Sequence, residues 1–283
     1  MESQYGKLQV LKTTVKIGLP EPVKLLHVTD THVAYDDPGN NCGRQMFFDG
    51  GVKDQIVNYF QQALDYAKEN QLPIVHTGDL IDYISNRSLE YVANALDGID
   101  YLFTGGNHDF CHCVGKLQLT MDYKWENIPK ITPYIRKNMM FDSRLIGGLN
   151  VVMMDDSFLN IGSTQLEMLK AEVARGYPIL LCVHIPFFTP KQAEACLEHG
   201  HGYLSIINEP LDYYNPKYNY RCGRDITTDE TQKAYDYIMH EPMIKCILAG
   251  HQHFNNEEIL ENGLHQIITH GSYAGFAREL TFI

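Results

Sequence analysis

Seven side chains in five short segments have the types and spacing of a binuclear metal site: Asp30 and His32, Asp79, Asn107, His184, and the pair His251 and His253. Carboxylate, imidazole and amide oxygen together suit first-row divalent cations, whereas a closed structural zinc site more often uses thiolates. Manganese, iron and zinc all fit this donor set. Two such ions held roughly 3.5 to 4 Å apart repel, so they need a shared anion between them, and Asp79 is the candidate bridge. An eighth residue, His108, follows Asn107 in Gly106-Asn107-His108-Asp109. A proton donor there could face whatever the cations hold, which turns a metal site into a hydrolytic one.

The elements that must position these groups are five apolar runs that read as buried strands. Val23 to Val28 leads into Asp30-Thr31-His32, Leu72 to Val75 into Gly78-Asp79, and Ile99 to Phe103 into Asn107-His108. Ile179 to Val183 leads into His184, and Ile244 to Ala249 into Gly250-His251-Gln252-His253. Polar ligands gather beyond the carboxyl ends of strands in open α/β sheets. On extended backbone, residues two apart face the same way, so Asp30 with His32, and His251 with His253, are each expected to point at one site. Gly78, Gly106 and Gly250 precede ligands, as expected where backbone passes close to the ions or takes positive φ.

Taken singly, an Asp-x-His or a Gly-Asp usually marks a turn or a helix cap; five in order, each after a buried strand, point to a site. Asp30-x-His32, Gly78-Asp79-x-x-Asp82, Gly106-Asn107-His108-Asp109, His184 and Gly250-His251-x-His253 resemble the calcineurin-like metallophosphoesterase family, over most of the chain. The resemblance implies that Asp30, His32, Asp79 and His253 hold one metal and that Asp79, Asn107, His184 and His251 hold the other. It also implies that His108 donates a proton and that Asp82 orients it. Asp109 is read as closing the local turn.

The chain has 283 residues and is read as one domain over 1–283, because the ligands span it too widely for a clean cut. No repeat, long linker or run of like charge stands out. Its beginning, Met1-Glu2-Ser3-Gln4-Tyr5, lacks an apolar signal region, and no apolar run reaches membrane-spanning length, so a soluble, cytoplasmic protein is expected. Seven cysteines are an odd number and suit reduced thiols better than a disulfide framework. Cys111-His112-Cys113 lacks a second pair at zinc-finger spacing and reads as loop lining the site, with His112 within reach of substrate. A net charge of −12 opposes attraction of nucleic acid and disfavours a nuclease, while bound cations would locally reverse the field for a small anion.

Helices are expected over Val52 to Asn70 and Ser88 to Leu96, after Thr164-x-x-Glu167 as a capping box with Gly176 as the stop, after Thr189-Pro190, and over Thr227 to Met239. Hairpins are expected through Gly147-Gly148 and Asn262-Gly263. Together these give an α/β fold: a four-layer α/β/β/α sandwich with two mixed β-sheets flanked by helices, which the resemblance also implies. The expected chemistry is hydrolysis of a phosphate ester by water activated between two divalent ions, with His108 protonating the departing alkoxide. Substrate contacts are sought in two long loops. One, from Tyr35 to Gly51, offers Arg44; the other, from Pro186 to Asp225, offers Tyr203 and Arg224 within an aromatic-rich stretch that reads as an insertion or a lid. Protein serine/threonine phosphatases carry Arg-Gly after the second Asp, whereas Tyr83-Ile84 follows Asp82 here. That departure shifts weight toward small phosphomonoesters or phosphodiesters, including nucleotides. The rival readings are a scaffold of the same fold that binds protein without turnover, and a nuclease. Oligomeric state is not legible.

Overall fold

A computed structural model describes residues 6–113, 117–118, 120–201, 204–222 and 227–283. The first sheet opens with β1 (Gln9–Val15), β2 (Val23–Val28), β3 (Ile74–His76) and β4 (Tyr101–Phe103). The second holds β5 (Phe141–Ile146), β6 (Leu149–Met154), β7 (Ile179–Cys182), β8 (Ile244–Ala249), β9 (Asn256–Ile259) and β10 (His265–Ile268). The chain then returns to the first sheet as β11 (Phe276–Phe282). Spatial order is β1-β11-β2-β3-β4 in one sheet and β9-β10-β8-β7-β6-β5 in the other. Both are mixed: β2, β3 and β4 run parallel while β11 is antiparallel to β2, and β6, β7, β8 and β10 run parallel with antiparallel β5 and β9 at the edges.

Alternation along the strands assigns each side chain to a layer. Leu25, Val75 and Leu102 from the first sheet meet Val151, Leu180 and Leu248 from the second in a core between the sheets. Their neighbours Leu26, Ile74 and Phe103 face outward onto helices α2 (Gln55–Glu69), α3 (Asn86–Ala95) and α4 (Met121–Ile135). Val152, Leu181 and Ile247 do the same for α5 (Ser163–Val173) and α7 (Asp229–His240) on the opposite side, and α6 (Pro190–Glu198) follows β7. The result is the expected four-layer sandwich with two mixed sheets. On α2 the apolar stripe Ile56, Tyr59, Phe60, Ala63, Leu64 and Ala67 is buried as read.

Helix starts depart in detail. The capping box expected at Thr164 and Glu167 sits elsewhere: Gly162 is the N-cap, and Gln165 Oε1 accepts its backbone N–H at 3.0 Å. Thr189 caps α6 through Gln192 N–H, with Pro190 in its first turn. Helix α4 is absent from the sequence reading because Pro129 and Pro133 interrupt its pattern, yet a Thr120 cap and packing of Ile131 and Ile135 hold it. Both hairpins form as expected; Gly147 and Gly148 take φ of +53° and +88° between β5 and β6. Among the described residues no helix is long and apolar enough to cross a membrane.

Cysteine chemistry differs from expectation. Cys42 and Cys113, separated by 71 residues, form a disulfide, whereas all seven thiols were expected reduced. Cys42 lies in the loop after β2 and Cys113 in the two-residue strand His112–Cys113 after β4, and the fold brings the two together. Cys111, Cys182, Cys196, Cys222 and Cys246 are buried and carry no disulfide.

Candidate metal centre

All five ligand-bearing segments leave β2, β3, β4, β7 and β8 at their carboxyl ends, on one rim shared by the two sheets. The backbone there is not extended, contrary to the alternation argument. Asp30, His32, Asp79, His251 and His253 all have φ between +48° and +67°. Left-handed backbone at a non-glycine residue costs on the order of 1 kcal/mol or more. Alternating it with ordinary residues curls each segment so that two side chains reach one point. Crowding explains the glycines: a Cβ on Gly250 would stand 2.0 Å from Thr29 Oγ1, and one on Gly78, at φ +94°, would stand 2.4 Å from Gly106 N.

The potential ligand atoms form two overlapping groups. In the first, His253 Nε2 lies 3.2 Å from Asp30 Oδ1 and 3.3 Å from His32 Nε2. In the second, His184 Nε2 lies 3.1 Å from Asn107 Oδ1 and 3.2 Å from His251 Nδ1. Asp79 Oδ2 reaches both, at 3.2 Å from His184 Nε2 and 3.7 Å from His32 Nε2. Its other oxygen accepts the His108 backbone N–H at 2.7 Å, which fixes which oxygen faces the cluster. Asp30, His32 and His253, and likewise Asp79, His184 and His251, are close enough to hold a cation. The donor set, two carboxylates, four imidazoles and an amide oxygen, fits first-row divalent ions.

Surrounding groups decide which ring nitrogen faces the cluster. His184 Nδ1 donates to Thr77 O at 2.7 Å, leaving Nε2 for the cluster. His32 Nδ1 lies 3.0 Å from Asp82 Oδ1, His251 Nε2 pairs with Ser205 Oγ at 2.9 Å, and His253 Nδ1 with Tyr273 Oη at 3.3 Å. Phe48 stacks on His32 at 4.3 Å. His108 Nδ1 lies 3.0 Å from Asp82 Oδ1 and 2.9 Å from Asp82 O, so Asp82 touches both His32 and His108.

Two buried carboxylates brace the backbone. Asp109 accepts the N–H groups of Asp79 and Gly106 at 2.8 Å and of Ile81 at 3.0 Å, so it ties two ligand segments together as well as closing its own turn. Burial, and then the charge on Asp79, push its carboxyl up to about 7. Asp156 accepts the N–H groups of His184 and Ile185 at 2.9 and 3.1 Å, and burial lifts it to about 7 as well. Asp156, Ser205 and Tyr273 are absent from the sequence reading. Asp156 had a usable signal, since Asp155-Asp156 follows β6 just as the other ligand segments follow their strands.

Of the residues expected at substrate, Arg44 donates through Nε and Nη2 to Asp82 at 2.7 and 3.0 Å. His112 Nδ1 pairs with Tyr123 Oη at 3.0 Å. Tyr203 and Arg224 lie outside the described residues. In the loop beyond β7, Tyr213, Tyr218 and Tyr220 pack against Phe188, Leu204 and their neighbours, as an insertion with its own small core.

Electrostatics favour a cation. Burial alone would raise Asp30, but His253, His184 and His32 outweigh it and hold its carboxyl well below the usual range; Asp79 is held down similarly, chiefly by His184 and His108. Burial opposes charge on His184, yet Asp79 and Asp30 lift it to about 10, while burial and His184 depress His251 to about 3. At neutral pH the metal-free cluster therefore keeps a proton on His184 that a cation must displace. The apparent Mn2+ affinity of the group that contains His184 should rise about tenfold per pH unit between pH 6 and 8, one proton being released as that ion binds. Calorimetric titration in buffers of different ionisation enthalpy measures this; a pH-independent affinity would show that His184 is not displaced.

The model of the family described as calcineurin-like phosphoesterase matches residues 23–255. No curated protein matches the chain in sequence. Among solved structures, a dimetal phosphatase from Danio rerio aligns over 89% of this chain and 88% of its own, with a TM-score of 0.54 at 13% identity. A phosphopantetheinyl hydrolase from Mycobacterium tuberculosis aligns over 88% and 90%, with a TM-score of 0.45 at 14% identity. The first of these shares the fold.

Proposed function

This chain belongs to the calcineurin-like phosphoesterase family, and from its standing as a metal-dependent phosphoesterase we propose that it hydrolyses small phosphomonoesters or phosphodiesters, nucleotides among them, acting as one unit over its whole length. The observation that carries this is the position of Asp79 Oδ2 within 3.2 Å of His184 Nε2 and 3.7 Å of His32 Nε2, common to both ligand groups. Asp30, His32, His253 and Asp79 would hold one divalent ion, and Asp79, Asn107, His184 and His251 the second, with manganese, iron or zinc all compatible. When bound, such ions supply Lewis acidity that activates water and neutralises phosphoryl oxygens.

The chain's own groups do the rest. Asp79 joins the two halves of the site and, through the His108 backbone N–H, fixes where that residue starts. His108 Nδ1 is committed to Asp82, so Nε2 is the nitrogen left to give a proton to the departing oxygen. Tyr83, in the position where protein phosphatases grip phosphate with arginine, is buried and donates to Asp36 at 2.5 Å. That supports a small substrate over a phosphoprotein. The net charge of −12 disfavours nucleic acid, and His112 at the rim remains a candidate contact for the rest of the substrate.

The test is elemental analysis of the purified chain together with Mn2+-dependent turnover of 4-nitrophenyl phosphate, bis(4-nitrophenyl) phosphate and a nucleotide panel. Saturable turnover with up to two ions per chain is expected. A chain that binds both ions and hydrolyses none of these esters would instead be a scaffold.

A further inference from the structure

Asp82 is fully buried, and one of its oxygens, Oδ1, accepts from Arg44 Nη2 and pairs with His32 Nδ1, each at 3.0 Å, while His108 Nδ1 lies 3.0 Å from the same oxygen and 2.9 Å from the Asp82 carbonyl oxygen. The second oxygen, Oδ2, is taken by Arg44 Nε at 2.7 Å. The final torsion of an aspartate is soft and roughly two-fold, so nothing intrinsic to Asp82 decides which oxygen serves the two imidazoles. A guanidinium fork that bonds both oxygens at once removes that freedom, because its planar geometry matches the carboxylate at only one rotation.

Arg44 is itself held in place. It opens the short helix α1 (Arg44–Phe48), and its Cζ lies 5.4 Å from the Phe47 ring centroid and 5.1 Å from that of Phe48. Phe48 in turn stacks on His32, and the Cys42–Cys113 disulfide, two residues earlier, ties the start of the helix to the segment that follows His108. A helix of five residues has little stability of its own; here ring stacking and a covalent link carry it. With Nε and Nη2 both engaged by Asp82, that edge of the guanidinium is not offered to a phosphate.

We infer that Arg44 is a positioning residue: by fixing the rotation of the Asp82 carboxylate it aims His108 at the departing oxygen. The inference rests on the proposed hydrolysis with His108 as the acid. Protonation of the leaving group matters for a poor leaving group and little for a good one, so misalignment of His108 has a signature that loss of substrate binding does not.

The experiment compares the full Mn2+-loaded chain with Arg44→Ala and Arg44→Lys on an alkyl phosphate and on 4-nitrophenyl phosphate, with metal content measured alongside. Arg44→Ala should lower kcat on the alkyl ester about 10- to 100-fold, as expected for a misplaced acid, while kcat on the nitrophenyl ester and KM on both stay close to wild type and both ions are retained. Arg44→Lys, which keeps the charge and stem and guards against a folding defect, should fall between, because a point charge cannot span both oxygens. In a His108→Ala background, Arg44→Ala should cause no further loss on the alkyl ester. A raised KM with an unchanged ratio between the two esters would make Arg44 a phosphate contact and overturn the inference, as would an undiminished effect without His108. A wild-type chain that turned over neither ester would overturn the functional reading and this inference with it.

Discussion

Asp79→Asn should abolish turnover while leaving the fold intact. The substitution keeps the side-chain volume, and its Oδ1 can still accept the His108 backbone N–H that Asp79 Oδ1 accepts at 2.7 Å. It also suits the backbone, because Asp79 sits at φ +55° and asparagine tolerates the left-handed region at least as well as aspartate. What changes is the atom common to both ligand groups. An amide nitrogen, which can only donate, replaces the oxygen now 3.2 Å from His184 Nε2 and 3.7 Å from His32 Nε2. A negative charge between two cations is lost with it. If the pair of ions supplies several kcal/mol of transition-state stabilisation, its disruption costs about a thousandfold or more in kcat. Elemental analysis should find fewer than two ions per chain, and thermal melting of the metal-free protein should shift by no more than about 2 to 4 °C, the size of a 1 kcal/mol change in a large domain. A variant that kept both ions and a tenth of the activity would deny Asp79 the bridging role.

The site was readable from sequence to the extent that local pattern determines it. Apolar runs such as Val23 to Val28 and Ile244 to Ala249 end where their ligands begin, and buried parallel strands leave that signature because both faces are covered. Other features depend on partners far away in the chain. Arg44 and Asp82 are 38 residues apart, and no motif joins them. Ser205, in the loop beyond β7, and Tyr273, in the 3-10 turn Ser272–Ala274, reach His251 and His253 and carry no spacing that would mark them. Cys42 and Cys113 read as two of an odd number of thiols until the fold brings them together. The parallel pairing of β1 with β11 joins the two ends of the sequence, which periodicity cannot specify. Backbone conformation was misjudged for a physical reason: alternation assumes extended chain, whereas Asp30, His32, His251 and His253 converge because their left-handed φ values curl the segments. Local strain of that kind is held by surrounding contacts, such as the bonds from His251 N–H to Asp30, and not by the residues' own preferences.

His108→Ala should separate metal binding from proton transfer. The variant keeps the backbone N–H that anchors Asp79, so the ligand cluster loses none of its framework and both ions should remain. It removes the ring whose Nδ1 sits 3.0 Å from Asp82 Oδ1. On alkyl phosphates kcat should fall about a hundred- to ten-thousandfold, the usual contribution of a positioned general acid. On 4-nitrophenyl phosphate, whose leaving group departs without a proton, the loss should be less than about tenfold. The pH profile supplies a second criterion. Burial opposes a charged ring at His108, but Asp79 and then Asp82 lift it to about 9 in the metal-free chain. Cations alongside would lower that value, so wild-type activity on alkyl esters should decline as pH rises through a pKa below about 9, where the acid loses its proton. That alkaline decline should vanish in His108→Ala. A variant that lost activity equally on both esters, or that kept the decline, would assign the proton to another donor, and the Asp82–His108 contact would then serve only to hold the rim together.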